Sequence, residues 1–196
     1  MKEAAAFVST IDADMGGTEL LPALQFVVSQ EPVAGLARQV LVLTDGEVTN
    51  TDAVIEIVRR HAAAARVFTF GIGAGASQHL VRGIARASGG AAEFISPGER
   101  IEGKVMRQFK RVFAPALTDV KVEWGQPGTT PAADRVPPVF DGERVTVYAL
   151  TEVARAATAK LTGTLAGRAV VFEILIDPAR AVQGNTIATL AARGRI

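Results

Sequence analysis

Along the first 114 residues, apolar positions with helical spacing alternate with short, continuous apolar runs. The runs at residues 40–43 and 67–72 have the length and β-branched content of buried strands, and a shorter run follows at 91–95. Between them, apolar residues three and four positions apart predict helices, as at residues 54–58. Strands that alternate with helices at this spacing predict a parallel sheet covered by helices on both faces.

After Pro115 the apolar period changes from helical spacing to two. Apolar and polar residues alternate at 120–124, 145–148, 158–165 and 170–176. Such segments, separated by Gly/Pro turns, predict an antiparallel, sandwich-like arrangement, with residues 125–138 as a long loop inside it. The sequence therefore predicts two domains, an α/β domain over residues 1–114 and a β-rich domain over residues 115–196.

Composition narrows the classes of partner. The 196 residues carry 21 basic and 20 acidic side chains, a net charge of +1, so no nucleic-acid partner is expected. No apolar run approaches the roughly 20 residues of a membrane span, and the N-terminus has Glu3 and lacks a signal-peptide core. Cysteine is absent, which excludes disulfides and thiolate metal sites and leaves the cellular compartment unassigned.

Two polar residues stand out at the ends of these elements. Asp45 follows the first predicted strand, and the carboxyl ends of parallel strands form the edge at which open α/β folds bind ligands. Taken alone, Asp45-Gly46 is more typical of a turn, or of the cap of the following helix, than of a ligand site. Thr18, between Gly16-Gly17 and Glu19, is by itself typical of a helix N-cap.

Together these segments resemble a known family. GGTELLPAL (16–24) and VLVLTDGE (40–47) resemble the second and third segments of a metal-ion-dependent adhesion site in a von Willebrand factor type A (vWA) domain. VFTFGIGAGASQHLVRGIARASGG and the tail beginning DVKVEW are similar to the VIT group, which includes inter-alpha-trypsin inhibitor heavy chains and the vWA-containing protein 5A family. The resemblance implies a Rossmann-like partial vWA domain followed by a β-rich domain.

The resemblance also implies a function in protein–protein interaction or adhesion, without a catalysed reaction. By similarity, Thr18 would offer a hydroxyl and Asp45 a carboxylate to Mg²⁺ or Mn²⁺, hard cations that prefer oxygen ligands. The open coordination position would take an acidic residue from a partner protein. This ligand set is implied by the family and not by the spacing of the two residues.

The sequence departs from the family at its first ligand segment, Asp-x-Ser-x-Ser. Asp12 and Asp14 lie nearest to the expected place, but neither begins that pattern. We therefore expect the C-terminal part of a vWA domain, with weak metal binding. The strand at 40–43 would then have an open edge. We expect the chain to self-associate through this edge, to cover it with its own N-terminal segment, or to fold poorly without an upstream part.

Two alternatives remain open from the sequence. One is a structural interaction module that needs no metal. The other is a dinucleotide-binding domain, because Gly71, Gly73 and Ala76 fit G-x-G-x-x-[GA] and Glu93 lies 20 residues beyond Gly73. Nucleophilic catalysis is not expected, since the chain has only two histidines and no G-x-S-x-G motif.

Overall fold

The computed structural model describes residues 2–10, 19–153, 155–182, 184 and 186–193. Its first half alternates helices and strands, as the apolar pattern predicts. The elements in chain order are α1 (Lys2–Val8), α2 (Leu20–Ser29), β1 (Arg38–Thr44), α3 (Thr51–Arg60), β2 (Ala65–Ile72), α4 (Gln78–Ser88), β3 (Ala92–Ile95) and α5 (Glu102–Phe113).

The three strands of this half form a parallel sheet in the order β1-β2-β3. Arg38 pairs with Ala65 at the start of β1, and Thr69 pairs with Ala92 at the start of β3. The prediction of an α/β fold with a parallel sheet is confirmed. Within the described residues β1 pairs only with β2, so its other edge has no strand beside it.

Three helices cover one face of the sheet. α2, α3 and α4 pack their apolar sides against the inward residues of β1 and β2. The buried residues of this core are Leu24, Val42, Val54, Ile55, Val58, Val67, Leu80 and Ile84. Burying each such side chain contributes about 1.5–3 kcal/mol, so this layer supplies much of the driving force for the α/β half.

Local signals set the ends of α4. Ser77 caps its start, because the Ser77 hydroxyl accepts a hydrogen bond from the Leu80 amide at 3.3 Å. The helix ends at Gly89, whose φ of +70° is the left-handed conformation that glycine adopts without strain. Gly90 then passes so close to β2 that a Cβ would lie 1.9 Å from the Val67 carbonyl oxygen.

The opposite face of the sheet joins the two halves of the sequence. The buried Phe68 of β2 packs against Phe140, with ring centroids 5.8 Å apart, and Ala116 completes the cluster. Val112 of α5 packs against the same cluster. The segment after residue 114 thus shares a core with the sheet, while the predicted domain boundary at 114/115 stays a prediction.

The second half contains two antiparallel sheets, as the period of two predicts. In chain order its elements are β4 (Leu117–Glu123), β5 (Thr129–Pro131), β6 (Ala149–Thr151), β7 (Ala157–Leu165), β8 (Arg168–Ile176), a 3₁₀ turn (Pro178–Arg180) and α6 (Thr186–Arg193). One sheet has the order β4-β7-β8, and the other pairs β5 with β6.

Two local expectations in this half are wrong. The alternation at 145–148 predicts a strand, but residues 143–148 form none, and β6 begins only at Ala149. Its partner β5 is only three residues long. The Ala132 amide still donates to the Tyr148 carbonyl at 2.8 Å, but the prolines at 137 and 138 have no amide hydrogen for a longer ladder. Conversely, the loop predicted at 125–138 contains β5. Among the described helices, none has the length and apolarity of a membrane span.

Candidate functional site at the carboxyl edge of the sheet

Asp45 follows the last residue of β1 and is exposed at the carboxyl edge of the parallel sheet. It is positioned there by the strand itself, because Val42 and Thr44 alternate into the core and fix the register of the residues that follow. The sequence predicts this placement of Asp45. The structure agrees with it.

The Asp45 carboxylate makes no hydrogen bond or salt bridge to any other described residue. It therefore caps no turn among these residues. It does not cap α3 either, whose N-cap residue is Asn50 and whose start has no side-chain cap. Among the described residues, therefore, none holds this exposed carboxylate in a structural role.

Thr44 adds a buried hydroxyl directly beside Asp45. Its Oγ1 is inaccessible to solvent and has no hydrogen-bond partner within the described part of the chain. A buried hydroxyl without a partner costs about 1–3 kcal/mol relative to one that is hydrogen-bonded. Sequence analysis missed Thr44, although the period of two along β1 turns it inward with Val42.

A second loop lies against Asp45. It follows β2, and its Gly75 approaches so closely that a Cβ there would lie 3.1 Å from the Asp45 carbonyl oxygen. The amide of Ser77 is 3.5 Å from the carbonyl oxygen of Gly46. The loops after β1 and β2 therefore form one surface, as expected for adjacent parallel strands.

The described residues alone do not make up a cation site. Within residues 2–10, 19–153 and the shorter described stretches that follow, no three His, Asp or Glu side chains cluster as a metal site requires. Thr18, Asp12 and Asp14 lie outside the described residues, so the predicted pairing of Thr18 with Asp45 is not placed. Asp45 is the one member of the predicted pair whose position is seen.

Glu93, the acidic residue that a dinucleotide-binding domain would use, is paired with two arginines. Glu93 lies within β3 and is largely buried against α5. Its carboxylate accepts hydrogen bonds from Arg107 Nε and Arg111 Nη1, both at 2.7 Å. Burial raises the pKa of Glu93, but the hydrogen bonds from Arg107 and Arg111 outweigh it and hold the pKa below its ordinary value. A carboxylate fixed in this way is not available to a ribose.

Local structure alone requires glycine at both positions of the candidate dinucleotide motif, Gly71 and Gly73. A Cβ at Gly71 would lie 2.8 Å from the ring of Phe94 and 3.1 Å from the Cβ of Ala76. Gly73 has a φ of +80° and its amide donates to the Ile95 carbonyl at 2.8 Å. Both glycines are accounted for by packing and backbone conformation, which weakens the dinucleotide interpretation.

Both histidines lie in ordinary helical surroundings. His61 Nδ1 is 2.8 Å from the Ile57 carbonyl one turn earlier at the end of α3. His79 Nε2 lies 3.3 Å from Asp52 in an exposed pair. Neither forms a hydrogen bond with a described serine or threonine, which is the contact that a nucleophile–base pair requires.

A parallel sheet with helices packed on its faces defines the class of an α/β domain. The model of the von Willebrand factor type A domain family matches residues 1–94. Mouse von Willebrand factor A domain-containing protein 5B1 is 42% identical to this chain over 73% of its length. Human von Willebrand factor A domain-containing protein 5A is also 42% identical, over 76% of this chain. A von Willebrand factor A domain-containing protein of Dictyostelium discoideum is 34% identical over 98% of it.

Residues 1–94 therefore belong to the von Willebrand factor type A family, and the chain is a vWA domain protein. It spans only 12%, 19% and 22% of the length of the mouse, human and Dictyostelium relatives. A solved von Willebrand factor type A structure from Catenulispora acidiphila is also similar, with 15% identity, a TM-score of 0.46, and coverage of 80% of this chain and 45% of that one.

Proposed function

We propose that this chain is a protein-interaction module that contacts its partner through the carboxyl edge of the parallel sheet. The observation that carries the proposal is the exposed Asp45 carboxylate, which has no partner among the described residues although it directly follows a strand of the sheet. vWA domains are in general interaction modules. We infer no catalysed reaction for this one.

The proposed site holds Mg²⁺ or Mn²⁺ weakly. Asp45 would supply a carboxylate oxygen and Thr18 a hydroxyl, and an acidic side chain of the partner would complete the coordination. Two protein ligands are few for a cation that prefers six oxygens, so the affinity of the chain alone should be low. The partner's carboxylate would then add affinity for metal as well as for protein.

Metal titration with site variants tests this proposal. We expect Mn²⁺ to enhance water-proton relaxation in the wild-type chain, and Asp45→Ala and Thr18→Ala each to remove that enhancement. Asp52→Ala is a matched control, because Asp52 is also an exposed acidic residue on the α/β half. Equal binding by wild type and Asp45→Ala would remove Asp45 from the site.

A metal-independent interaction module is the second candidate. It is favoured by the lack of a three-residue acidic or histidine cluster among the described residues. In that case no variant binds Mn²⁺, and a partner isolated with the full-length protein would bind this chain equally well in EDTA. The two candidates therefore differ in whether EDTA releases the partner.

A further inference from the structure

One cavity of the described structure lies in the β-rich half, away from the sheet edge that carries Asp45. Its volume is about 590 Å³, within the roughly 300–1,000 Å³ of small-molecule pockets. It opens between β4, the stretch 131–137 that continues β5, and the extended segment 144–148. Leu190 of α6 contributes to the wall.

The walls of this cavity are mainly apolar. Val122, Val136, Val145 and Val147 line it together with Trp124. The Nε1 atom of Trp124 is inaccessible to solvent, so the cavity meets ring carbons of the indole and not its N–H group. An apolar body of a ligand is therefore stabilised here by contact with aliphatic and aromatic carbon.

The charged residues of the lining are mostly basic. Lys121, Arg135 and Arg144 line the cavity and are exposed, with Asp134 as the one acidic lining residue. None of these four side chains makes a salt bridge or hydrogen bond with another described residue. Three unpaired cations and a single anion give this cavity a positive field that favours an anionic group.

We propose that this cavity binds a small apolar carboxylate. The hydrocarbon part contacts Trp124 and Val147, and the carboxylate pairs with the guanidinium groups of Arg135 and Arg144. Arginine suits this role because its planar fork can donate two parallel hydrogen bonds to one carboxylate. The proposal is independent of the metal edge, since no cavity-lining residue belongs to the α/β half.

Tryptophan fluorescence offers a direct test, because Trp124 is the only tryptophan in the chain. The full chain is titrated in EDTA with octanoate, octanol and octylammonium, which share a hydrocarbon chain and differ in charge. We expect a saturable change in Trp124 emission with octanoate, at least tenfold tighter than with octanol or octylammonium. Calorimetry of the same titrations detects binding that leaves the emission unchanged.

Variants separate the roles of charge and volume. Arg144→Gln and Arg135→Gln should each weaken octanoate binding about fivefold or more and leave octanol binding unchanged. Ala133→Phe, which adds a ring to the lining, should weaken both ligands. Arg168→Gln is the matched control, because Arg168 is an exposed arginine of β8 outside the cavity. Circular dichroism checks that each variant is folded.

Three outcomes would overturn the proposal. The first is octylammonium or octanol binding as tightly as octanoate. The second is an equal loss of octanoate affinity in Arg168→Gln and Arg144→Gln. The third is no saturable octanoate binding by either fluorescence or calorimetry. Asp45→Ala should bind octanoate like wild type, so failure here and failure of the proposed metal site are distinguishable.

Discussion

Arg111 Nη1 lies 2.7 Å from Glu93 Oε1, and the same guanidinium group also contacts Glu143. Glu93 belongs to β3, Arg111 to α5, and Glu143 to the segment that follows residue 114. The Arg111 and Glu93 side chains are only 12% and 11% exposed. The largely buried side chain of Arg111 therefore links the sheet, the helix that covers it and the β-rich half.

Arg111→Gln should destabilise the fold more than Arg107→Gln does. Loss of Arg111 leaves the buried Glu93 with one cation and removes the link to Glu143, which we expect to cost about 1–3 kcal/mol. Arg107 also pairs with Glu93, but its side chain is 50% exposed, so its removal should cost under about 1 kcal/mol. Chemical denaturation of both variants measures the difference. Equal losses would show that burial does not set the strength of these pairs.

The same network predicts how stability depends on pH. The pKa of Glu93 in the folded chain lies below its ordinary value of 4.5, despite burial, because of the hydrogen bonds from Arg107 and Arg111. A carboxyl whose pKa is lowered on folding stabilises the folded chain at pH values above its ordinary pKa. This stabilisation is lost as the pH falls through the pKa of the folded state. We expect the free energy of unfolding to decrease as the pH falls below about 4.5.

Glu93→Gln isolates this contribution. The variant should be less stable than wild type at pH 7, and the gap should narrow as the pH falls, because wild-type Glu93 then becomes neutral as well. Glu47→Gln is the control, since Glu47 is exposed and pairs with no other described side chain. A gap of constant size from pH 7 to pH 3 would contradict the assignment of the effect to Glu93.

Gly90 and Gly103 should respond in opposite directions to alanine. A Cβ at Gly90 would overlap the Val67 carbonyl oxygen of β2, so Gly90→Ala should cost about 2 kcal/mol or more as the chain shifts to relieve the clash. Gly103 lies in α5 with open space around the added atom, and Gly103→Ala should stabilise by about 0.5–1 kcal/mol. Thermal unfolding compares the two variants, and a stable Gly90→Ala protein would contradict the close approach.

The sequence predicts the α/β half well because there the apolar period and the burial agree. The run at 40–43 lies within β1, and the helix stop at Gly89-Gly90 falls at the observed end of α4. The position of Asp45 follows from the same regularity. The Glu93–Arg111 pair could not be predicted, because its partners are 18 residues apart and meet only when α5 folds onto β3.

The β-rich half is harder to predict because its contacts are less regular. Alternation at 145–148 has the period of a strand, but a strand also needs a partner strand of matching length. The partner β5 has only three residues, and prolines follow it at 137 and 138. The spacing of residues along the sequence does not predict which of them line the cavity. Its cations, Lys121, Arg135 and Arg144, come from three separate segments of the chain.

The open edge of β1 bears on the predicted self-association. β1 has one strand neighbour among the described residues, and its Leu43 is 64% exposed on the face opposite the helices α2, α3 and α4. An edge with free backbone groups and exposed apolar side chains recruits other strands. We therefore expect the isolated chain to form dimers or larger species at micromolar concentrations through this edge.

Leu43→Lys should shift the chain toward the monomer, because a charged side chain on an edge strand opposes strand pairing. Val33→Lys is the matched control, since Val33 is equally exposed but lies in a loop. Ile174→Lys tests the competing edge at β8, whose Ile174 and Leu175 are also exposed. Light scattering gives the mass of each variant, and hydrogen exchange at residues 40–43 reports whether the β1 edge is covered. A wild-type monomer, or association weakened only by Ile174→Lys, would show that the edge of β1 is not the contact.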